Sequence, residues 1–243
     1  MREVVIGSMD LTEIALNYLN ADPLLHIDMI LPIKRNTAHI LYAADDGVCL
    51  KEAKSEAYMV SVSSNETGEK LLDLLPQDGL YTFHQEYMLE GAKEKVRHAT
   101  VLENFQAVYS SKTLPPISSD GETEIKLLDH KDLHTAYIHY DIDVGEDYLR
   151  ERLEDGELFG CYFGNDLIGF CGVHAEGSIG FLRVFDQYRR KGYGISLTNY
   201  AINYQLAKGV TPYIQINVSN NASLALAGKM GFSIAAGRVF WLF

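Results

Sequence analysis

The chain has 243 residues, room for one large domain or two small ones, with 47% hydrophobic and 22% charged residues. That apolar content excludes a wholly disordered chain, and a formal charge of -12 argues against nucleic acid or an anionic membrane as partner. The charge is uneven, however. Residues 1–176 hold 14 basic and 32 acidic side chains, whereas residues 177–243 hold 7 basic residues and one acid, Asp186. The basic surplus in the last quarter suits a small anion. Cys49, Cys161 and Cys171 show no metal or redox spacing and read as buried free thiols. The first residues are too broken by charge for a secretory signal, and no run approaches about 18 apolar residues. A soluble, cytoplasmic protein is expected.

Leu11, Ile14, Ala15, Tyr18 and Leu19 follow helical spacing, with Asp10 as cap. An apolar helix is predicted over 24–33. Strands follow at 38–43, 47–51 and 57–62, the first two turned by Asp45-Asp46-Gly47. A helix over 68–75, a strand over 80–84, a helix over 87–97 and a strand over 105–110 complete the first half. Pro115-Pro116 and the Ser/Asp/Gly cluster after it read as a linker, 115–121, between lobes 1–114 and 122–243. The second half runs as a strand at 124–128, helices at 131–140 and 146–154, and a hairpin of 158–163 with 167–174. Then come a strand at 178–185, a helix at 192–207, a strand at 213–218, a helix at 222–230 and one or two closing strands in 232–243. The two halves share an element order without a residue-level repeat.

The strongest chemical signal is Arg189-Arg190-Lys191-Gly192-Tyr193-Gly194, between a strand and a helix. Glycines permit unusual backbone and close ligand approach, and a helix N-terminus offers N–H groups to a phosphate. Position 197 is Leu, so the dinucleotide fingerprint fails, and no P-loop is present. By itself the hexapeptide reads equally as a solvated turn. Downstream, Asn220 through Phe232 makes a capped helix ended by Gly231.

Together these segments resemble the GNAT superfamily of acyl-CoA N-acyltransferases. Arg189-x-x-Gly192-x-Gly194 resembles its pyrophosphate loop, and Asn220–Phe232 resembles its later N…A…L…K-x-G-F segment. Ser223 and the ending Val239–Phe243 are similar to the glycine N-acyltransferase-like branch. The resemblance implies a two-lobed α/β (α+β) protein. Its C-terminal GNAT fold would be a mixed, mostly antiparallel sheet flanked by helices, and its N-terminal α/β lobe a degenerate GNAT-like half. It implies acetyl-CoA or another acyl-CoA as cosubstrate, no metal, a small amine or amino-acid acceptor, and room for a homodimer. Cofactor contacts would come from Val184, Arg189, Arg190, Lys191, Gly192, Tyr193, Gly194, Asn220 and Ser223.

Two positions depart from the family. Where it places a catalytic Tyr this chain has Ala227, and where it places a basic Glu this chain has Ser178. Three substitutes are available. Glu176 reads as a base acting through water or as an exposed loop carboxylate. His174 reads as a proton relay or as a structural histidine. Arg183 reads as a partner for a substrate carboxylate or as part of an internal salt bridge. His134, His139, Asp141 and Asp143 are too irregularly spaced for a structural zinc site. The acidic run 141–157 reads as a solvated helix face or as an attraction for a cationic amine. A non-catalytic acyl-CoA-binding module is the rival reading.

Overall fold

The computed structural model describes residues 10–96, 100–117, 121–140 and 145–243. They form two compact units. The first gathers the described residues of Met1–Gln106 with Ala235–Phe243, and the second is Ala107–Ile234.

The first unit opens with α1 (Leu11–Leu19), where the Asp10 carboxylate accepts Thr12 N–H at 3.3 Å. α2 covers Ile27–Lys34, starting three residues later than its apolar run suggests. Ile27–Ile33 are buried on every side, so hydrophobic periodicity holds no information about where the helix begins. β1 (Ala38–Ala44), β2 (Gly47–Glu52) and β3 (Tyr58–Val62) are antiparallel neighbours, the first pair turning between Ala44 and Gly47. α3 (Asn65–Leu74) starts ahead of its first apolar residue, because Ser64 caps it by accepting Thr67 N–H. β4 (Tyr81–Phe83), α4 (Met88–Lys95) and β5 (Val101–Val108) follow. The last strand of the chain, β11 (Ser233–Leu242), pairs Phe240, Trp241 and Leu242 with Phe83, Thr82 and Tyr81 of β4. The strand order is β1-β2-β3-β4-β11-β5. Alternation along β2 sends Val48 and Leu50 to one core, with Leu19, Met29 and Met59, and Cys49 to the other, with Tyr81 and Phe83.

A polar network lies inside this unit. His84 Nε2 is 3.0 Å from Asp28 Oδ1, both side chains being fully buried, and His84 Nδ1 donates to Val60 O at 3.0 Å. Both ring nitrogens face acceptors, an arrangement that suits an imidazolium. Burial opposes its charge, but Asp28 outweighs that and its pKa is raised. His26 is the reverse. Its Nδ1 donates to Leu19 O at 3.0 Å, its Nε2 faces Ser61 Oγ at 2.8 Å, and burial with neighbouring His84 lowers its pKa to about 4. Below pH 6.5 the unfolded chain protonates at His26 while the folded chain resists, so this contribution to stability declines as pH falls toward 4. His84 has the opposite sign: its contribution is complete below 6.5 and is lost as pH rises through its raised value. Acidification from pH 7 to 4 should therefore cost up to about 3 kcal/mol through His26, and His26→Gln should flatten that limb. Urea unfolding followed by fluorescence of Trp241, the chain's one tryptophan, reads this unit.

The second unit contains β6 (Thr123–Leu127), α5 (Leu133–His139), α6 (Glu146–Glu154), β7 (Leu158–Phe163), β8 (Asp166–Val173), β9 (Ile179–Val184), α7 (Tyr193–Ala207), β10 (Tyr213–Asn217) and α8 (Asn221–Lys229). Its strand order is β10-β9-β8-β7-β6. β6 to β9 are antiparallel neighbours, and β9 and β10 are parallel, joined through α7. Leu133, Ala136, Leu149, Leu153, Phe170 and Phe181 make the core under α5 and α6. The Pro115-Pro116 segment lies along α7, where Asn199 and Asn203 donate to Pro116 O at 2.7 Å and Pro115 O at 3.0 Å. The predicted linker's residues 118–120, and Asp141 and Asp143, lie outside the described residues. The sheet is mixed and mostly antiparallel, as the sequence reading expects.

The first unit repeats this strand logic in reduced form. β3 and β4 are also parallel and joined by a helix, but they pair at Tyr58–Tyr81, Met59–Thr82 and Val60–Phe83. Only Ser63 and Ser64 separate β3 from α3, leaving no glycine loop.

Candidate functional site

In β9 the strand breaks its own register. Gly172 faces Gly180 and Phe170 faces Arg183, so Cys171 alone opposes both Phe181 and Leu182. The extra residue is a β-bulge, which bends the strand carrying it. Phe181 takes φ +56 while almost fully buried, a left-handed conformation costing a non-glycine residue about 1–2 kcal/mol. Its ring is pinned by His174, Tyr140 and Tyr148, at centroid distances of 3.9, 5.2 and 6.0 Å. Gly169 lets β9 approach, since a Cβ there would meet Arg183 O at 2.7 Å. β9 and β10 pair at Ile179–Ile214, near their starts. Past that point they run on to Val184 and Asn217 without further register, so a split opens toward their C-terminal ends.

The glycine loop lies at that open end. After Val184 the chain passes a short 3-10 turn, Asp186–Tyr188, and enters α7 through Arg190 at φ +61 and Gly192 at φ +90. Nothing crowds a Cβ at Gly192, so conformation alone demands glycine there. Gly194 has ordinary backbone, and a Cβ on it would touch only Val184 Cγ2, at 3.8 Å. The folded chain does not need glycine at 194. Its bareness leaves the first turn of α7 open to a ligand, at the positive end of the helix dipole.

The basic side chains divide their work. Arg189 turns back, with Nε on Val184 O at 3.2 Å and Nη2 on Asp186 at 3.0 Å, tying the loop to the end of β9. Arg190 and Lys191 are exposed, and Lys191 Nζ sits 5.7 Å from the Tyr188 ring centre. Asn220 caps α8 by accepting Ser223 N–H at 3.0 Å. Tyr193 lines a cavity of about 250 Å³ with Cys161, Ser196 and Tyr200.

Glu176 is buried rather than exposed, in the turn from β8 to β9. Ser178 Oγ donates to its carboxylate, and Tyr213 OH donates to its backbone oxygen at 3.3 Å. The turn thus brings a buried carboxylate against Ser178. His174 N–H bonds to Ser178 O at 2.8 Å, closing the same turn. The His174 ring lies over Gly180, where a Cβ would collide with Nε2. Arg183 is half-buried opposite Phe170. Ala227 is buried and offers no proton. Glu176, His174 and Ser178 come together at the start of β9. Val184 and residues 189–194 come together at its end. His134 pairs instead with Glu146 at 3.0 Å, and His139 Nδ1 donates to Thr135 O at 2.9 Å. No group of three metal-ligating side chains occurs among the described residues. Sequence reasoning missed Phe181, whose left-handed backbone leaves no mark in a phenylalanine, and Tyr148, whose hydroxyl reaches Ala175 and His174 only in the fold.

The sequence model of the acetyltransferase (GNAT) family matches residues 124–232. This segment is similar to the GNAT family. No curated protein matches the chain. Among solved structures, a Drosophila melanogaster protein aligns with TM-score 0.72 and 16% identity, over 96% of this chain and 93% of that one. A GCN5-related N-acetyltransferase from Kribbella flavida aligns with TM-score 0.57 and 10% identity, over 90% and 94%. A GNAT-family acetyltransferase from Colwellia psychrerythraea aligns with TM-score 0.52 and 15% identity, over 98% and 97%. At these identities the likeness is one of fold. The bulged β9, its split from β10 and the loop 189–194 all lie within the matched segment. No helix among the described residues is long and apolar enough to cross a membrane.

Proposed function

We propose that the GNAT domain transfers an acetyl or other acyl group from acyl-CoA to the amine of a small molecule or amino acid, by direct attack on the thioester. One observation carries this reading: the split between β9 and β10 opens beside the first turn of α7, which Gly194 leaves bare. The pyrophosphate would rest on the amides of residues 189–194, with Arg190 and Lys191 adding field and Tyr193, Asn220 and Ser223 near the cofactor. The pantetheine arm would run along the backbone at Val184. Backbone N–H groups past the bulge would polarise the carbonyl. Glu176, next to Ser178, is the candidate base for the amine proton, acting through water. Arg183 is the candidate partner for an acceptor carboxylate, as a glycine N-acyltransferase-like enzyme would require. A cytoplasmic setting suits this activity.

A non-catalytic acyl-CoA-binding module is the second reading, favoured by Ser178 and Ala227 at the family's catalytic positions. Isothermal titration with acetyl-CoA tests the shared part. Arg190→Glu should weaken binding about tenfold, near 1.4 kcal/mol, and equal binding would remove the cofactor assignment. Thiol release across a panel of amines and amino acids separates the two readings. Tight acetyl-CoA binding with no CoA released on any acceptor would favour the module.

A further inference from the structure

The sheet of the second unit ends at β6, whose one strand neighbour among the described residues is β7. Its five residues pair with β7 in unbroken register, from Thr123–Phe163 to Leu127–Phe159. β1, the end strand of the first unit, differs. Its register with β2 shifts between Ile40 and Tyr42, so Leu41 is an extra residue, and such a bulge twists an edge away from further pairing. β6 has no such device.

Edge strands are commonly blunted by charges that repel a copy. On β6 the charges are Glu124 and Lys126, one of each sign and two residues apart, so both stand on one face. Antiparallel pairing of two β6 strands about Ile125 sets Glu124 opposite Lys126 of the second copy, and Lys126 opposite its Glu124. Centring on Glu124 or on Lys126 instead sets a like pair face to face. A one-residue slip turns the side chains to the wrong faces. The strand therefore complements itself in one register.

We infer that β6 pairs with β6 of a second copy of this chain, antiparallel about Ile125, so that the two sheets run on as one, whether or not the domain transfers acyl groups.

The other face of the strand agrees. Thr123, Ile125 and Leu127 lie beside Phe163, Cys161 and Phe159 of β7, and Phe159 packs on Tyr200 and Tyr204 of α7. On this α7 side Leu127 is 51% exposed, Phe163 43% and Ile117 41%. The cavity lined by Cys161, Tyr193 and Tyr200 also touches Ile117, Thr123 and Ile125. Exposed apolar side chains gathered at one sheet edge mark a contact surface. A two-fold axis normal to the sheet keeps the same face up in both copies. Leu127 of each copy then meets Thr123 of the other, beside the cavity. On the opposite face Lys126 Nζ lies 4.7 Å from the Tyr162 ring centre and 3.3 Å from Asp129. Lys126 and Asp129 are both half-exposed, so their pair is weak and the ammonium is free to turn to Glu124 of the second copy.

Sedimentation equilibrium of the full chain, from about 1 to 100 µM, tests the contact. The unaltered chain should reach twice its own mass. Lys126→Glu and Glu124→Lys each turn two attractive pairs into two repulsive ones, and each should raise the dimer Kd at least about tenfold. Neither side chain is buried, so circular dichroism should show the fold unchanged. An equimolar mixture of the two variants again faces opposite charges at both positions. It should dimerise about as tightly as the unaltered chain, although each variant alone does not. A chain that stays monomeric to about 100 µM would overturn the pairing. A dimer indifferent to both reversals would do the same, by placing the contact on another surface. A mixture that associates no better than its components would overturn the register about Ile125.

Discussion

Gly194→Leu should reduce acetyl-CoA affinity more than about 100-fold, some 2.7 kcal/mol, while leaving the fold intact. A Cβ at 194 meets only Val184 Cγ2, at an ordinary 3.8 Å, so the folded chain tolerates a side chain there. Gly194→Ala should even stabilise the first turn of α7 by about 0.5–1 kcal/mol, because glycine is a poor helix residue. Both side chains would stand where phosphate oxygens must approach the helix N-terminus, so binding should fall as stability rises. Gly192→Leu behaves differently. Its backbone is at φ +90, so strain of about 1–2 kcal/mol would appear in stability as well as in binding. Titration calorimetry with thermal unfolding separates the two. If Gly194→Leu binds acetyl-CoA as tightly as the unaltered chain, the pyrophosphate does not rest on this turn.

Asp28→Ala should destabilise the first unit by about 3–5 kcal/mol, moving the urea midpoint seen by Trp241 by about 1–2 M. The loss far exceeds that of an exposed ion pair. Asp28 and His84 are fully buried, and Asp28 Oδ1 also accepts Gln106 Nε2 at 2.9 Å. Removing the carboxylate strands an imidazolium and an amide donor inside the sheet. A double replacement, Asp28→Leu with His84→Phe, should recover most of the loss, since a well-packed apolar pair does not carry the desolvation cost. Acetyl-CoA affinity should hold in both variants, because the loop and split belong to the other unit. A midpoint shift below about 0.3 M for Asp28→Ala would mean that His84 is neutral and the pair adds little.

The second unit was legible where local chemistry dictates local structure. Gly192 at φ +90, Asn220 as the α8 cap and the turn at Gly164 are each required by their own backbone, so their residue types announce them. The strand and helix order through 123–229 was legible for the same reason. Helix starts at Ile27 and Asn65 were less so. One is buried all round and the other opens on polar residues, and periodicity sees only the contrast between faces.

The sequence by itself determined that residues 189–194 form a glycine turn into a helix and that the basic surplus falls in the last quarter of the chain. These are statements about neighbouring residues, whose geometry short-range sterics and hydrogen bonds set. The tertiary structure alone decided that β9 bulges at Phe181 and parts from β10, that Glu176 is buried against Ser178, and that the Tyr148 hydroxyl meets His174 Nδ1. It also decided that β3 and β4 stay paired where β9 and β10 separate, and that residues 235–243 complete the first unit. Each of these depends on pairing and packing between residues distant along the chain. Residue type alone does not encode such juxtapositions, because any buried aromatic or strand residue could meet many partners, and only the assembled sheet selects one.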